Sequence, residues 1–385
     1  MAKETILLQN VPFYRKVPNT AYVVDFFIKT VTDADAFFLT HYHSDHYGGL
    51  TKKFDSIIYC SETTGNIIEK FIGLDSTKIK KVPMQEILNL NENQILFYEA
   101  NHCPGAVGII FAIKSKLYLH TGDFRYNFEI HQNLNDLINI FNIREKNKFD
   151  MVFCDNTYEN YHNFKSQMTV IQELISDIIK SEKATNKLAP IPTKYIFTSY
   201  FIGKEKLYLT VGYYFQWKIC VQDRKMRVFD CFDQYSKNIL EKFVIDACNS
   251  MKIEKISSST FSFQKQKNQV TKEKLSPFEL LCTDKKDSKI DVLPMNYITN
   301  KKLNEMYGNQ KYKKLIVISG TGWTKKEQSM IFTKSNGTKI KSGIQIIQYP
   351  YSEHSSSSEL EEFKNFVKAN EIIPTVKFSS YRDVD

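Results

Sequence analysis

Six consecutive residues, His41-Tyr42-His43-Ser44-Asp45-His46, offer three imidazoles and a carboxylate. That mixture of nitrogen and oxygen donors suits zinc or a related divalent ion. In an extended turn alternate residues project the same way, so His41 and His43 can share one ion while Asp45 and His46 face a neighbouring position. Two more donors are expected to complete the arrangement. His102 lies in the turn sequence Asn-His-Cys-Pro-Gly, and Asp123 lies in Thr-Gly-Asp-Phe-Arg with a carboxylate able to bridge two ions. Asp25, after Tyr22-Val23-Val24, can accept a hydrogen bond from the ring of a ligating His and fix its orientation. Gly48-Gly49-Leu50 reads as a tight passage into a following helix. Structural zinc sites are typically closed by Cys and His, whereas this donor set leaves a position open to water. An ion held there lowers the pKa of water to about 7 and neutralises charge on an oxygen under attack. The chemistry is hydrolysis, and the cluster alone does not name the bond. Of the eight histidines, five (41, 43, 46, 102 and 354) fall in polar turns, while His120, His131 and His162 read as ordinary residues.

Donors so far apart in sequence need a scaffold that brings them to one edge. Four apolar runs end directly at them: Phe37–Leu39 before Thr40-His41, Ile95–Tyr98 before Asn101-His102, Lys116–Leu119 before Gly122-Asp123, and Met151–Cys154 before Asp155. Each run predicts a buried strand, and side-by-side strands would converge their exit loops. The pairs Val170/Ile171, Leu174/Ile175 and Ile178/Ile179 recur every four positions and predict a helix over 169–180. A new α/β unit then begins, with strands at 195–197 and 219–221 and a helix starting near Gly203-Lys204-Glu205. Residues 252–290, rich in Lys, Ser and Gln, read as a loop or insertion. Strands return at 315–318, 344–347 and 372–376.

Composition bounds the rest. A chain of 385 residues with 42% hydrophobic and 25% charged residues can bury a substantial core, which excludes a largely disordered protein. The formal charge of +9 makes a polyanion such as nucleic acid a natural partner. Seven scattered cysteines with no Cys-x-x-Cys pair argue against a disulfide framework or a zinc finger. The expectation is a soluble, unsecreted protein with no membrane partner.

Eight motifs in order complete the reading: Leu39-Thr-His-Tyr-His-Ser-Asp-His-Tyr-Gly-Gly-Leu50, Ala100-Asn-His-Cys-Pro-Gly-Ala-Val107, His120-Thr-Gly-Asp-Phe-Arg125, Asp155-Asn-Thr-Tyr158, Ile202-Gly-Lys-Glu-Lys206, Thr321-Gly-Trp-Thr324, Pro350-Tyr-Ser-Glu-His-Ser-Ser356 and Ile372-Ile-Pro-Thr-Val376. Together they resemble the DNA cross-link repair nucleases of the metallo-β-lactamase/β-CASP group, whose members include Apollo and Artemis, and within it the 5′ exonuclease branch. The resemblance implies that His41, His43, His102 and Asp123 hold a first, tight zinc, and that Asp45, His46 and Asp123 hold a second, weaker divalent ion. It assigns catalysis to Asp45, to Asp155 in the first β-CASP acidic motif, and to His354, as an acid for the leaving oxygen or a stabiliser of phosphorane charge. Val376 stands where relatives acting on RNA usually carry a ligating His and those acting on DNA a Val, which favours DNA and agrees with a single tightly held zinc. By the same resemblance Tyr158, Lys204, Ser352, Ser355 and Ser356 hold a terminal 5′-phosphate, with a helix-cap or surface role as the equal alternative. Arg224-Lys225-Met226-Arg227 reads as a solvated face rather than a track for single-stranded DNA. Phe201, Asn156 and Lys377 depart from the family pattern, and none is a proposed ligand.

The implied fold is α/β: a four-layer metallo-β-lactamase αβ/βα sandwich over 1–176 and 348–385, interrupted by an α/β β-CASP domain over 177–347 that carries the basic loop near 252–290, with the active site in the cleft between them. The implied protein is a nuclear, monomeric 5′-to-3′ exonuclease on single-stranded or 5′-phosphorylated DNA in cross-link and double-strand break repair. The same class contains Artemis-like structure-selective endonucleases and RNA-processing enzymes.

Overall fold

The strands Tyr22–Val24, Ala36–Phe38 and Ile58–Cys60 are buried at every position, the pattern of parallel strands covered on both faces. In the computed structural model, which describes residues 4–141, 149–161, 163–185, 192–251, 274–286, 288–307, 312, 314–324, 328–332 and 343–376, they form a parallel sheet completed by Ile79–Lys81. The short helix Glu62–Ile67 lies close on that edge: a Cβ at Gly65 would meet Ile79 and Lys81 side chains within 3.2 Å.

A six-stranded sheet runs in the order Ile87–Leu90, Asn93–Glu99, Val107–Ile113, Lys116–His120, Met151–Cys154, Glu371–Pro374. The first four strands are antiparallel, and the last two add in parallel. Pro374 is tolerated because its strand is the edge, where a missing N–H costs no ladder bond. The two sheets close on one core, with Tyr22, Val24, Phe38 and Tyr59 from the first meeting Ile95, Phe97, Ile109, Phe111 and Tyr118 from the second. Phe38 sits among Tyr22, Tyr59, Phe97 and Phe111 with ring centroids 5.1 to 6.4 Å away. This is an α/β sandwich, and the strands Ala36–Phe38, Asn93–Glu99, Lys116–His120 and Met151–Cys154 each lead into a turn bearing a candidate donor.

The chain separates into two compact units, one of Met1–Phe164, Val228–Lys237 and Ser352–Asp385, the other of Lys165–Arg227 and Asn238–Tyr351. The boundary expected at 176–177 falls inside a helix, Gln167–Thr185. The second unit is built on a seven-stranded sheet, ordered Leu281–Cys282, Ile219–Cys220, Ile290–Pro294, Thr193–Ser199, Lys314–Gly320, Gly343–Tyr349, Gln328–Phe332, and parallel except for the last pair. Within the stretch expected to be loop, 252–273 and 287 lie outside the described residues, whereas Leu281–Cys282 is an edge strand of this sheet. No described helix is long and apolar enough to cross a membrane.

Candidate metal centre

The Ala36–Phe38 strand delivers Thr40, and its hydroxyl organises the centre. Thr40 Oγ1 donates to Asp25 Oδ2 at 2.7 Å and lies 3.0 Å from His41 Nδ1, while Asp25 Oδ1 accepts the Thr40 N–H at 2.8 Å. With its proton committed to Asp25, the hydroxyl can only accept from His41, so His41 carries its proton on Nδ1 and presents a bare Nε2. His46 donates from Nδ1 to Asp25 Oδ2 at 2.7 Å, leaving its Nε2 3.3 Å from Asp123 Oδ1 and 3.6 Å from Asp45 Oδ2. His102 donates from Nδ1 to the Glu353 carbonyl at 2.9 Å. Its Nε2 lies 3.1 Å from His43 Nδ1, which is itself 2.9 Å from His41 Nε2. Imidazole nitrogens aimed at one another this closely, two of them bare, are stabilised by a cation among them, and that is the fit expected of a metal site.

Three donor groups result, each with its ligand atoms within 4.8 Å of one another: His41, His43, His102 and Asp123; Asp45, His46 and Asp123; and Asp123, Asp155 and His354. Asp123 belongs to all three. Burial pushes the His41 and His102 rings well below the usual imidazole value; His46 and His43 add to this at His41, and His354 and His43 at His102. Both rings are therefore neutral, the form that binds metal. Burial opposes charge on His46 too, but Asp123 and then Asp25 raise it well above the usual value. Burial would raise the Asp123 carboxyl, yet His46 and then His354 hold it well below the ordinary carboxylate range. Asp25 is likewise held down against its burial by His46 and Arg15.

His354 reaches the centre from the other end of the sequence. Its Nδ1 lies 2.8 Å from Asp155 Oδ2 and its Nε2 3.9 Å from Asp123 Oδ2. Its side chain is 23% exposed, against 10% for Asp123 and 3% for His102, so solvent reaches His354 more readily than either of these, though less than Asp45.

A family profile described as "DNA repair metallo-beta-lactamase" matches residues 275–380. The chain is 31% identical over 379 residues to the DNA cross-link repair protein SNM1 of Arabidopsis thaliana, covering 95% of this chain and 66% of that one. It is 30% identical over 376 residues to the mouse (Mus musculus) DNA cross-link repair 1A protein, covering 96% of this chain and 31% of that one. The chain belongs to the DNA cross-link repair branch of the metallo-β-lactamase/β-CASP family. The 5′ exonuclease Apollo of chicken (Gallus gallus) matches more locally, at 33% identity over 113 residues, 29% of this chain and 25% of that one. The chain spans about a third of the length of the mouse relative.

The remaining family positions divide. Tyr158 is buried and packs edge-on to His354 at 5.9 Å. Val376 donates its N–H to Asn156 Oδ1 at 2.9 Å, so the Asn that departs from the family pattern tethers the third motif beside Asp155. Ser352 Oγ bonds the N–H and carbonyl of His354, and Ser355 Oγ bonds Phe124 O and Tyr126 N, both hydroxyls being buried and occupied in shaping the loop. Ser356 is the N-cap of the helix Ser357–Val367, which makes it a cap. In the second unit Lys204 adopts a left-handed φ of 67° and lies 5.1 Å from the Tyr351 ring centroid. The basic cluster at 224–227 is not a uniformly solvated face: Lys225 is buried and pairs with Glu205 at 2.5 Å while donating to the Phe201 carbonyl. The helix expected after Gly48-Gly49 precedes it as Ser44–Tyr47, because Gly49 turns left-handed at φ 90° where any Cβ would strike Phe27 O at 2.5 Å. Lys377 and His162 lie outside the described residues. His120 and His131 belong to none of the three donor groups.

Sequence reasoning missed Thr40, Arg15, Arg125 and Glu359. Only the last had a local signal, the Ser356-Ser-Ser-Glu359 capping-box spacing.

Proposed function

We propose that the chain is a zinc-dependent DNA nuclease that shortens 5′-phosphorylated strands in the 5′-to-3′ direction, serving repair of interstrand cross-links and double-strand breaks in the nucleus. One observation carries the reading: Asp123 is shared by two His/Asp donor groups and faces His354, whose ring is held by the buried Asp155. His41, His43, His102 and Asp123 would hold the tight ion, and Asp45, His46 and Asp123 a weaker one. A metal held by these residues would supply Lewis acidity, to activate water and offset charge on the phosphoryl oxygen. The protein does the rest. Asp25 and the Glu353 carbonyl fix the His46 and His102 rings. Asp155 accepts from His354 Nδ1, so Nε2 is turned toward Asp123, where it would hand a proton to the leaving oxygen or steady charge on the phosphorane. The aliphatic Val376 offers no further donor beside Asp155, which supports DNA over RNA as substrate and a single tightly held zinc, with any second ion bound weakly. The name of the chicken relative, 5′ exonuclease Apollo, supports attack from the 5′ end.

The test uses single-stranded DNA labelled at its 3′ end with a 5′-phosphate or a 5′-hydroxyl, and RNA of the same sequence, each with and without chelator. Stepwise shortening of the phosphorylated DNA, abolished by chelation and by Asp45→Ala and reduced to a low residual rate by His354→Ala, is expected. Equal cleavage of RNA, internal cuts alone, or undiminished activity in both variants would contradict the reading.

A further inference from the structure

His354 does not hold itself in place. Asp155 fixes its ring, but the loop that carries it is fixed elsewhere, and the fastening converges on Arg125, two residues after Asp123. The Arg125 side chain is 3% exposed. Its Nη1 donates to the Ser352 carbonyl at 2.8 Å, and Nη2 and Nε reach the Glu359 carboxylate at 3.1 and 3.3 Å. Glu359 uses the same carboxylate to accept the Ser356 N–H at 2.7 Å, closing the capping box of the helix Ser357–Val367. The guanidinium thus grips the loop on both sides of His354, at Ser352 and through Glu359. The main chain of Arg125 ties in a third segment: its N–H donates to the Ala100 carbonyl at 3.0 Å and its carbonyl accepts from Asn101 Nδ2 at 2.8 Å, immediately before His102. Ser355 strengthens the seam, its N–H and Oγ bonding the Phe124 carbonyl and its Oγ accepting the Tyr126 N–H.

A buried guanidinium with a forked, hydrogen-bonded carboxylate is rigid and directional. We infer that Arg125 is a positioning residue that, with Glu359, sets His354 against Asp123. Arg125 is not itself a donor to any of the three groups, so it acts through the His354 loop. The inference rests on the nuclease reading for its kinetic consequence and on geometry alone for its structural one.

The 385-residue chain is compared with Arg125→Gln, Arg125→Lys and Glu359→Gln, each also combined with His354→Ala. On 5′-phosphorylated single-stranded DNA, kcat of Arg125→Gln should fall roughly 100-fold, the scale of a small misplacement of a reacting group, with KM little changed. In the His354→Ala background the same substitution should cost almost nothing further, because both act through one ring. Zinc content should be unchanged. Independently of activity, the nitrogen–proton NMR correlations of the His354 ring should shift or broaden in Arg125→Gln and Glu359→Gln, while those of His41 stay put. Arg125→Lys, which keeps the charge without the fork, should show a partial effect and covers the case in which Arg125→Gln fails to fold. Unchanged His354 ring signals in the folded variants would overturn the inference, as would losses that multiply with His354→Ala. Should the wild-type chain cleave no nucleic acid, the nuclease reading falls while the ring signals still decide the positioning role.

Discussion

Asp25, Thr40 and the Glu353 carbonyl occupy the Nδ1 atoms of His46, His41 and His102, so each of these rings turns Nε2 toward the centre. Losing such a partner loosens the ligand without removing it. Asp25→Asn is therefore expected to weaken zinc binding by about 10- to 100-fold with the ligands intact, measurable by competition with a chromophoric chelator. His46 adds a pH dependence whose sign is fixed. Its pKa lies well above the usual imidazole value in the metal-free chain, so an ion at Asp45, His46 and Asp123 must displace a proton. Binding there should release about one proton and weaken as pH falls, which titration calorimetry in buffers of different ionisation enthalpy would reveal. The cluster at 41–46 was legible because its donors are local. Thr40, Arg15 and the Glu353 carbonyl were not, because their partners come from distant segments and, for Glu353, from a backbone atom that sequence does not distinguish.

Strands aim these residues. Phe38 anchors the end of its strand in the core, two residues before Thr40. Phe38→Ala should cost about 3–5 kcal/mol in chemical denaturation. It should also lower zinc occupancy as Thr40 and His41 lose their footing. At the helix Ser357–Val367 the capping box is a smaller device, and Ser356→Ala is expected to cost about 1 kcal/mol. Apolar runs at 37–39, 95–98, 116–119 and 151–154 could be read as strands because each ends at a polar turn, and strands lie at Ala36–Phe38, Asn93–Glu99, Lys116–His120 and Met151–Cys154. The helix at 44–47 was placed after its glycines rather than before them, since a four-residue helix has no apolar periodicity to mark it. The edge strand Leu281–Cys282 escaped for the same reason of length.

At the scale of the molecule, the donors enter in chain order from His41 to Asp155, and His354 arrives only after the sequence of the second unit has been traversed. No local pattern links positions 200 residues apart. Their order along the chain was nevertheless legible through the family motifs. On the proposed reading, the net charge of +9 favours holding DNA largely through its phosphates. Affinity for single-stranded DNA should then fall linearly on a log–log plot against salt, with a slope of about −0.7 for each phosphate neutralised. A salt-independent affinity would point to a partner other than nucleic acid. The central claim, that the His/Asp cluster builds a metal-dependent DNA nuclease, is tested most directly by stripping the chain of metal and restoring zinc stepwise. Bound zinc and shortening of a 5′-phosphorylated strand are followed together. Activity should return in proportion to the first equivalent of zinc and be absent in Asp123→Ala; cleavage that survives stripping, or persists in Asp123→Ala, would contradict it.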